Sequence, residues 1–304
     1  MLNESFLLKE RKDRMGSHFW QYLGVFLLSK KENKKITIQR PIEKYNYMHD
    51  LWFWDIRDNF DVIKEDNDCE ANDSMVVDLP CGMRGPGAIF VQKYKIDVIS
   101  YFRDNYKEKY FENIKKIAEE RNYKLPWKNI DDAICIQIRF EDMAHKLDVD
   151  SSDEFNLYKN WINNDEFIKK YPKYVGLHGE NKTDYQCPID INLFEKKVIE
   201  LKEKYPEKQI YIITYIKTKR IIDKYNKIVR KHNLRVITNN DGYREAYHTW
   251  LMANCHTLVL TKSTFPIMAA LYFQGKEIQY QIWPRYACLG LGTKYDKSGW
   301  IGFK

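Results

Sequence analysis

Three short runs in the second half of the chain are apolar almost throughout: 132–138 (Asp-Ala-Ile-Cys-Ile-Gln-Ile), 209–214 (Gln-Ile-Tyr-Ile-Ile-Thr) and 257–261 (Thr-Leu-Val-Leu-Thr). A strand that faces water on one side alternates apolar with polar residues, whereas a strand covered on both faces reads as a continuous apolar run. A shorter run of strand character lies at 235–238, and helical patterns separate the runs at 192–204, 217–232 and 248–255. Buried strands joined by helices pair in parallel, with helices on both faces of a doubly wound α/β sheet.

The first half shows the same grammar in shorter form. Phe6-Leu7-Leu8 reads as a strand, 9–14 as a polar turn, and 18–31 as a helix with Phe19, Leu23, Phe26 and Leu27 on one face; Ile36-Thr37-Ile38 then begins another strand. Strand, helix, strand is a βαβ unit, which again builds a parallel sheet. From 40 to 87 the pattern is mixed: an aromatic cluster at Trp52, Phe53 and Trp54, an acidic Asn/Asp-rich stretch at 65–73, and a Gly-rich turn at 81–87. Loops facing a cleft are expected there. Residues 96–120 read as one or two amphipathic helices, and Leu125-Pro126 marks their end, because proline disfavours helical continuation. With 304 residues, enough for two cores, the expected organisation is a Rossmann-like domain over 1–126 and a second over 127–304.

Composition narrows the function classes only a little. A net charge of +7 suits a phosphorylated ligand, nucleic acid or an anionic surface. The basic residues alternate with acidic ones on helical stretches, as on solvated helix faces, and no nucleic-acid-binding motif is present. Nucleic acid is therefore kept as the rival partner and not the expected one. The six cysteines show no metal-ligand or redox-motif spacing, which reads as reduced thiols in a cytoplasmic protein. The longest apolar run near the start, 22–28, is far shorter than the roughly 20 residues that span a bilayer, so no membrane-spanning segment is expected.

In an open parallel sheet, ligands bind beyond the carboxyl ends of the strands, and three strand ends carry distinctive chemistry. Gln137-Ile138-Arg139-Phe140-Glu141-Asp142 delivers a guanidinium that binds a diphosphate in bidentate fashion or, alternatively, pairs with Asp142 as a structural ion pair. Lys262-Ser263-Thr264-Phe265-Pro266 precedes a helical stretch at 267–273; its hydroxyls and amides suit either a phosphate or ordinary helix capping. Arg14-Met15-Gly16-Ser17-His18-Phe19-Trp20-Gln21-Tyr22 is read as a loop that opens the first helix, with His18 either a proton acceptor or a solvated imidazole.

Taken together, the three segments resemble, in order and spacing, the motif set of the fucosyltransferase-like superfamily, which includes alpha-1,2-, alpha-1,6- and protein O-fucosyltransferases. Gly16, Gln21 and Tyr22 match the family's first loop, where Ser17 and His18 replace its Asn and Gln. Arg139 and Asp142 match its His-x-Arg-x-x-Asp motif, with Gln137 in place of the histidine. The stretch 251–265 is similar to its C-terminal block, which ends in Ser-Ser-Phe or Ser-Thr-Phe; here the ending is Ser263-Thr264-Phe265. Two positions depart: Thr214 is followed by Tyr215 where relatives have Thr-Asp, and His248 stands where an acidic residue is usual.

The resemblance implies a GT-B fold, two Rossmann-like domains facing a central cleft, with the acceptor on the N-terminal side and the nucleotide sugar on the C-terminal side. It implies an inverting, metal-independent glycosyltransferase with no cofactor, whose donor is a GDP-sugar, GDP-fucose, and whose acceptor is a glycan or glycoconjugate hydroxyl; a different nucleotide sugar is the alternative. Carried over by position, Arg139 contacts the donor diphosphate, while Gly16, Asp142, Thr214, Ser263, Thr264 and Phe265 belong to the nucleotide-sugar site. His18 and Asp55 are the candidates for the general base. Asp148-Val149-Asp150 has the spacing of a metal-binding Asp-x-Asp but sits in a polar stretch and is read as solvated, so no metal ligand is assigned.

Overall fold

A computed structural model of the chain describes residues 5–9, 15–40, 60–64, 75–77, 86–138, 189–214, 219–238 and 244–304. Its strands form two sheets, parallel in every recorded pairing. The first contains β1 (Ser5–Lys9), β2 (Lys35–Arg40), β3 (Phe60–Lys64) and β4 (Met75–Val77) in the order β3-β2-β1-β4. The second contains β5 (Ala133–Gln137), β6 (Gln209–Ile213), β7 (Arg235–Ile237), β8 (Thr257–Leu260), β9 (Glu277–Gln281) and β10 (Ile301–Phe303) in the order β10-β9-β8-β5-β6-β7. The expected α/β class and parallel pairing are thus observed.

Numbered along the chain, the second sheet runs 3-2-1-4-5-6, the doubly wound order. Its two faces are covered as the apolar runs require. Ile134, Ile136, Ile210, Ile212 and Val259 meet Phe194, Val198 and Leu201 of α4 (Ile191–Lys204) and Tyr225 and Ile228 of α5 (Lys219–Lys231). Cys135, Tyr211, Ile213, Leu258 and Leu260 belong to a larger core with α6 (Arg244–Ala253) and α7 (Phe265–Leu271). That core also contains side chains of α1 (Met15–Glu32), α2 (Pro86–Tyr94) and α3 (Val98–Glu120), so the helices of the first half pack onto the second sheet's outer layer. Asp97 starts α3 by accepting the Ser100 N–H at 2.6 Å, and its other oxygen accepts the Lys297 N–H at 3.0 Å, which fastens the C-terminal segment to the helix start. The helices α1 and α2 cross closely at Gly24, where a Cβ would lie 2.3 Å from the Gly87 nitrogen.

Two expectations need correction. Residues 40–87 are not all loop: β3 and β4 extend the first sheet, and α2 begins at Pro86. Phe-Asp-Val-Ile-Lys and Met-Val-Val are too short to show periodicity, and their strand state comes from pairing with β2 and β1. The segment around Gly16 is likewise not a loop, since α1 begins at Met15 and takes Gly16, Ser17 and His18 into its first turn. The apolar run 19–28 carries the helix, and a glycine at the helix end, where N–H groups lack intrahelical partners, costs little. No described helix is long and apolar enough to cross a membrane.

Candidate active site at the switch point

The chain leaves β5 for β6 on one side and, after β7, returns to β8 on the other. The strand order therefore reverses between β5 and β8. At such a switch point the connections diverge to opposite faces and leave a crevice beyond the carboxyl ends. Two of the three sequence segments begin here, because residue 139 follows β5 and residues 261–265 follow β8.

The end of β8 is tied to its neighbour by Thr261, fully buried, whose Oγ1 donates to the Gln137 carbonyl at 2.9 Å. The chain then turns tightly, with the Ser263 N–H donating to the Thr261 carbonyl at 2.7 Å. Tyr286, in the 3-10 turn Pro284–Leu289, fixes this turn from beneath. Its hydroxyl donates to the Ser263 carbonyl at 2.8 Å and contacts the Thr261 carbonyl, while the Ser263 N–H approaches it at 3.5 Å. Burial holds the Tyr286 hydroxyl protonated well beyond its ordinary range, so it remains a donor. Edge-on packing against Trp283, with centroids 5.2 Å apart, and Tyr280, at 6.0 Å, sets the ring.

Expected and observed roles at the start of α7 differ in detail. Helix α7 begins at Phe265, two residues earlier than its apolar pattern indicates, and has only seven residues. Ser263, 2% exposed, accepts the Phe265 N–H on its hydroxyl at 3.4 Å, whereas Thr264 makes no side-chain cap. A hydroxyl already engaged and a short helix make the turn's shape, more than a helix dipole, the feature presented to a ligand. Lys262, half-buried between Thr261 and Ser263, adds positive charge at the switch point.

Thr214 follows β6 directly; it is buried, and its N–H donates to the Ile237 carbonyl at 3.2 Å. It lies two strands from Ser263, with β5 between them. Gly16 and His18 sit in the first turn of α1, the helix that follows β1, and α1 packs against α7. Arg139, Asp142, Trp52, Phe53, Trp54, Asp55 and the Asp148–Asp150 triplet lie outside the described residues. Among the described residues, no three His, Cys, Asp or Glu side chains group as a metal site.

Lys262 lies in a segment the sequence singles out but without a role of its own, and Thr261 and Tyr286 were not assigned to the site. Thr261 and Lys262 carried a signal, being the last steps of an apolar run before Ser263. Tyr286 carried none, because it reaches the turn across 23 residues of chain. Changing Tyr286 to Phe removes the donor to the buried Ser263 carbonyl, while the Thr261 carbonyl keeps the Ser263 N–H, at about 1–2 kcal/mol. Urea denaturation should register that loss, and an unchanged midpoint would show that the turn holds itself.

The overall chain course is similar to that of solved fucosyltransferases. POFUT1 in complex with GDP-fucose is 11% identical, with 91% of this chain and 97% of that one covered at a TM-score of 0.44. NodZ alpha-1,6-fucosyltransferase soaked with GDP-fucose is 10% identical, with 89% and 93% covered at a TM-score of 0.36. No family model matches the sequence, and no curated protein matches it. What bears on function is the strand order and the residues at its switch point.

Proposed function

We propose that the protein is an inverting, metal-independent glycosyltransferase of GT-B type that transfers fucose from GDP-fucose to a glycan hydroxyl. The observation that carries this reading is the strand order. It sets β5 beside β8, and in this reading the segments that follow these two strands, beginning at residue 139 and, 124 residues later, at Ser263, share one crevice. In this reading the acceptor oxygen attacks the anomeric carbon as the bond to the diphosphate breaks, and the hydroxyl proton passes to a base, for which His18 is the candidate. Arg139, the Ser263 and Thr264 hydroxyls and the nearby amides stabilise the charge on the departing nucleotide. The donor belongs to the 127–304 half and the acceptor to the 1–126 half. The buried thiols of Cys135, Cys255 and Cys288 suit a reducing compartment, the cytoplasm.

Thermal unfolding with GDP, UDP, ADP or CMP tests the reading, since a ligand held by the native state alone raises stability by about 2.7 kcal/mol at a hundred times its Kd. A rise with GDP is expected. A rise with UDP instead would replace the donor, and indifference to all four, together with salt-sensitive binding of DNA or RNA, would transfer support to a nucleic-acid-binding role.

A further inference from the structure

We propose that Gln281, at the carboxyl end of β9, is a specificity-determining residue of this cleft, where its side-chain oxygen accepts a hydrogen bond from an N–H or O–H of the bound nucleotide sugar; the inference rests on the nucleotide-sugar reading above. β9 pairs with β8 in the register Leu260↔Tyr280, so Gln281 comes level with Thr261, at the entry to the Ser263 turn. Two glutamines stand two residues apart on this strand and therefore on one face of the sheet. The inner one, Gln279, is fully engaged: its Oε1 accepts from the Lys197 amine at 3.0 Å and its Nε2 donates to Glu277 at 2.5 Å. The outer one, Gln281, is 7% exposed, and its Oε1 has no partner among the described residues.

A buried amide oxygen left unpaired destabilises the fold that contains it, and an apolar side chain of the same shape would not. The position makes sense if a ligand supplies the missing donor. Thr214 closes β6 and Gln281 closes β9, one strand beyond either side of the β5/β8 switch point. Three interstrand spacings separate them, roughly 14 Å. That span suits an extended ligand with a nucleoside at one end and a sugar at the other. The donor group is then a ribose hydroxyl or base N–H, or else a hydroxyl of the transferred sugar.

Gln281→Met separates these cases, because methionine keeps the length of the side chain and removes its hydrogen-bonding atoms. Unliganded, the variant is expected to melt at the wild-type temperature or above it. Calorimetric titration with GDP and with GDP-fucose is expected to show about a tenfold loss of affinity. A loss with both ligands places the contact on the nucleoside, and a loss with GDP-fucose alone places it on the sugar. Wild-type affinity for both, or a lowered melting temperature without ligand, overturns the inference and leaves the nucleotide reading standing. Failure of the wild-type protein itself to bind either compound defeats that reading, and the ligand assigned to Gln281 with it.

Discussion

Gly275→Ala is expected to destabilise the protein by about 3 kcal/mol, the upper end for an added group in a well-packed interior, and to lower Tm by roughly 6 °C or more. A Cβ at this position would lie 1.9 Å from the Cys255 carbonyl oxygen, 2.7 Å from the His256 carbonyl oxygen and 2.5 Å from the Phe273 ring. The ring can swing aside; the carbonyls cannot. Gln274 donates its N–H to the Ala253 carbonyl at 2.8 Å and Lys276 donates to the His256 carbonyl at 2.9 Å, so both neighbours of Gly275 are pinned to the segment it would have to leave. Relief requires β9 to retreat from the start of β8, where Thr257 is in register with Glu277. The glycine is needed for close approach of two backbones and not for an unusual φ. Chemical denaturation of the purified variant is the check, and a change below about 0.5 kcal/mol would mean that the backbone has slack there.

How far the sequence could be read follows from where each element gets its stability. The runs at β5, β6 and β8 were legible because both faces of those strands are covered, so nearly every side chain is apolar. β9 sits in the same sheet but was not anticipated, since Gln279 and Gln281 interrupt its apolar pattern while being buried. Gln279 owes its place to the Lys197 amine from α4, a partner 82 residues away that no local pattern reveals. The short strands β3 and β4 and the 3-10 turn that carries Tyr286 were hidden for a similar reason: each is held by distant partners. At the site, the Ser263–Phe265 turn could be found because it follows a strand that could be found. Its division of labour could not, and the hydroxyl that caps α7 belongs to Ser263 and not to the residue next to the helix.

Arg139→Ala is expected to reduce transfer by about a thousandfold, in line with the loss of one preorganised group that stabilises transition-state charge, while Tm moves by less than about a degree. β5 is paired with β6 through Gln137 and with β8 through Ile136, the Gln137 carbonyl accepts from Thr261, and Ile138 still donates its N–H to the Ile213 carbonyl at 3.1 Å, so the strand is secured before Arg139 is reached. On the function proposed above, truncating the side chain beyond that point removes charge from the donor site without removing a contact of β5. Arg139→Lys should recover only part of the rate, because an ammonium keeps the charge but lacks the planar fork that meets two phosphate oxygens at once. The competing role, an ion pair with Asp142 that merely closes the strand end, makes a different set of predictions. Arg139→Ala would then lower stability, Asp142→Ala would lower it equally, and the double variant would be no worse than either single one. Nucleotide release from GDP-fucose in the presence of acceptor, measured beside unfolding curves for the three variants, distinguishes the roles; near-normal turnover in Arg139→Ala would remove the arginine from the mechanism.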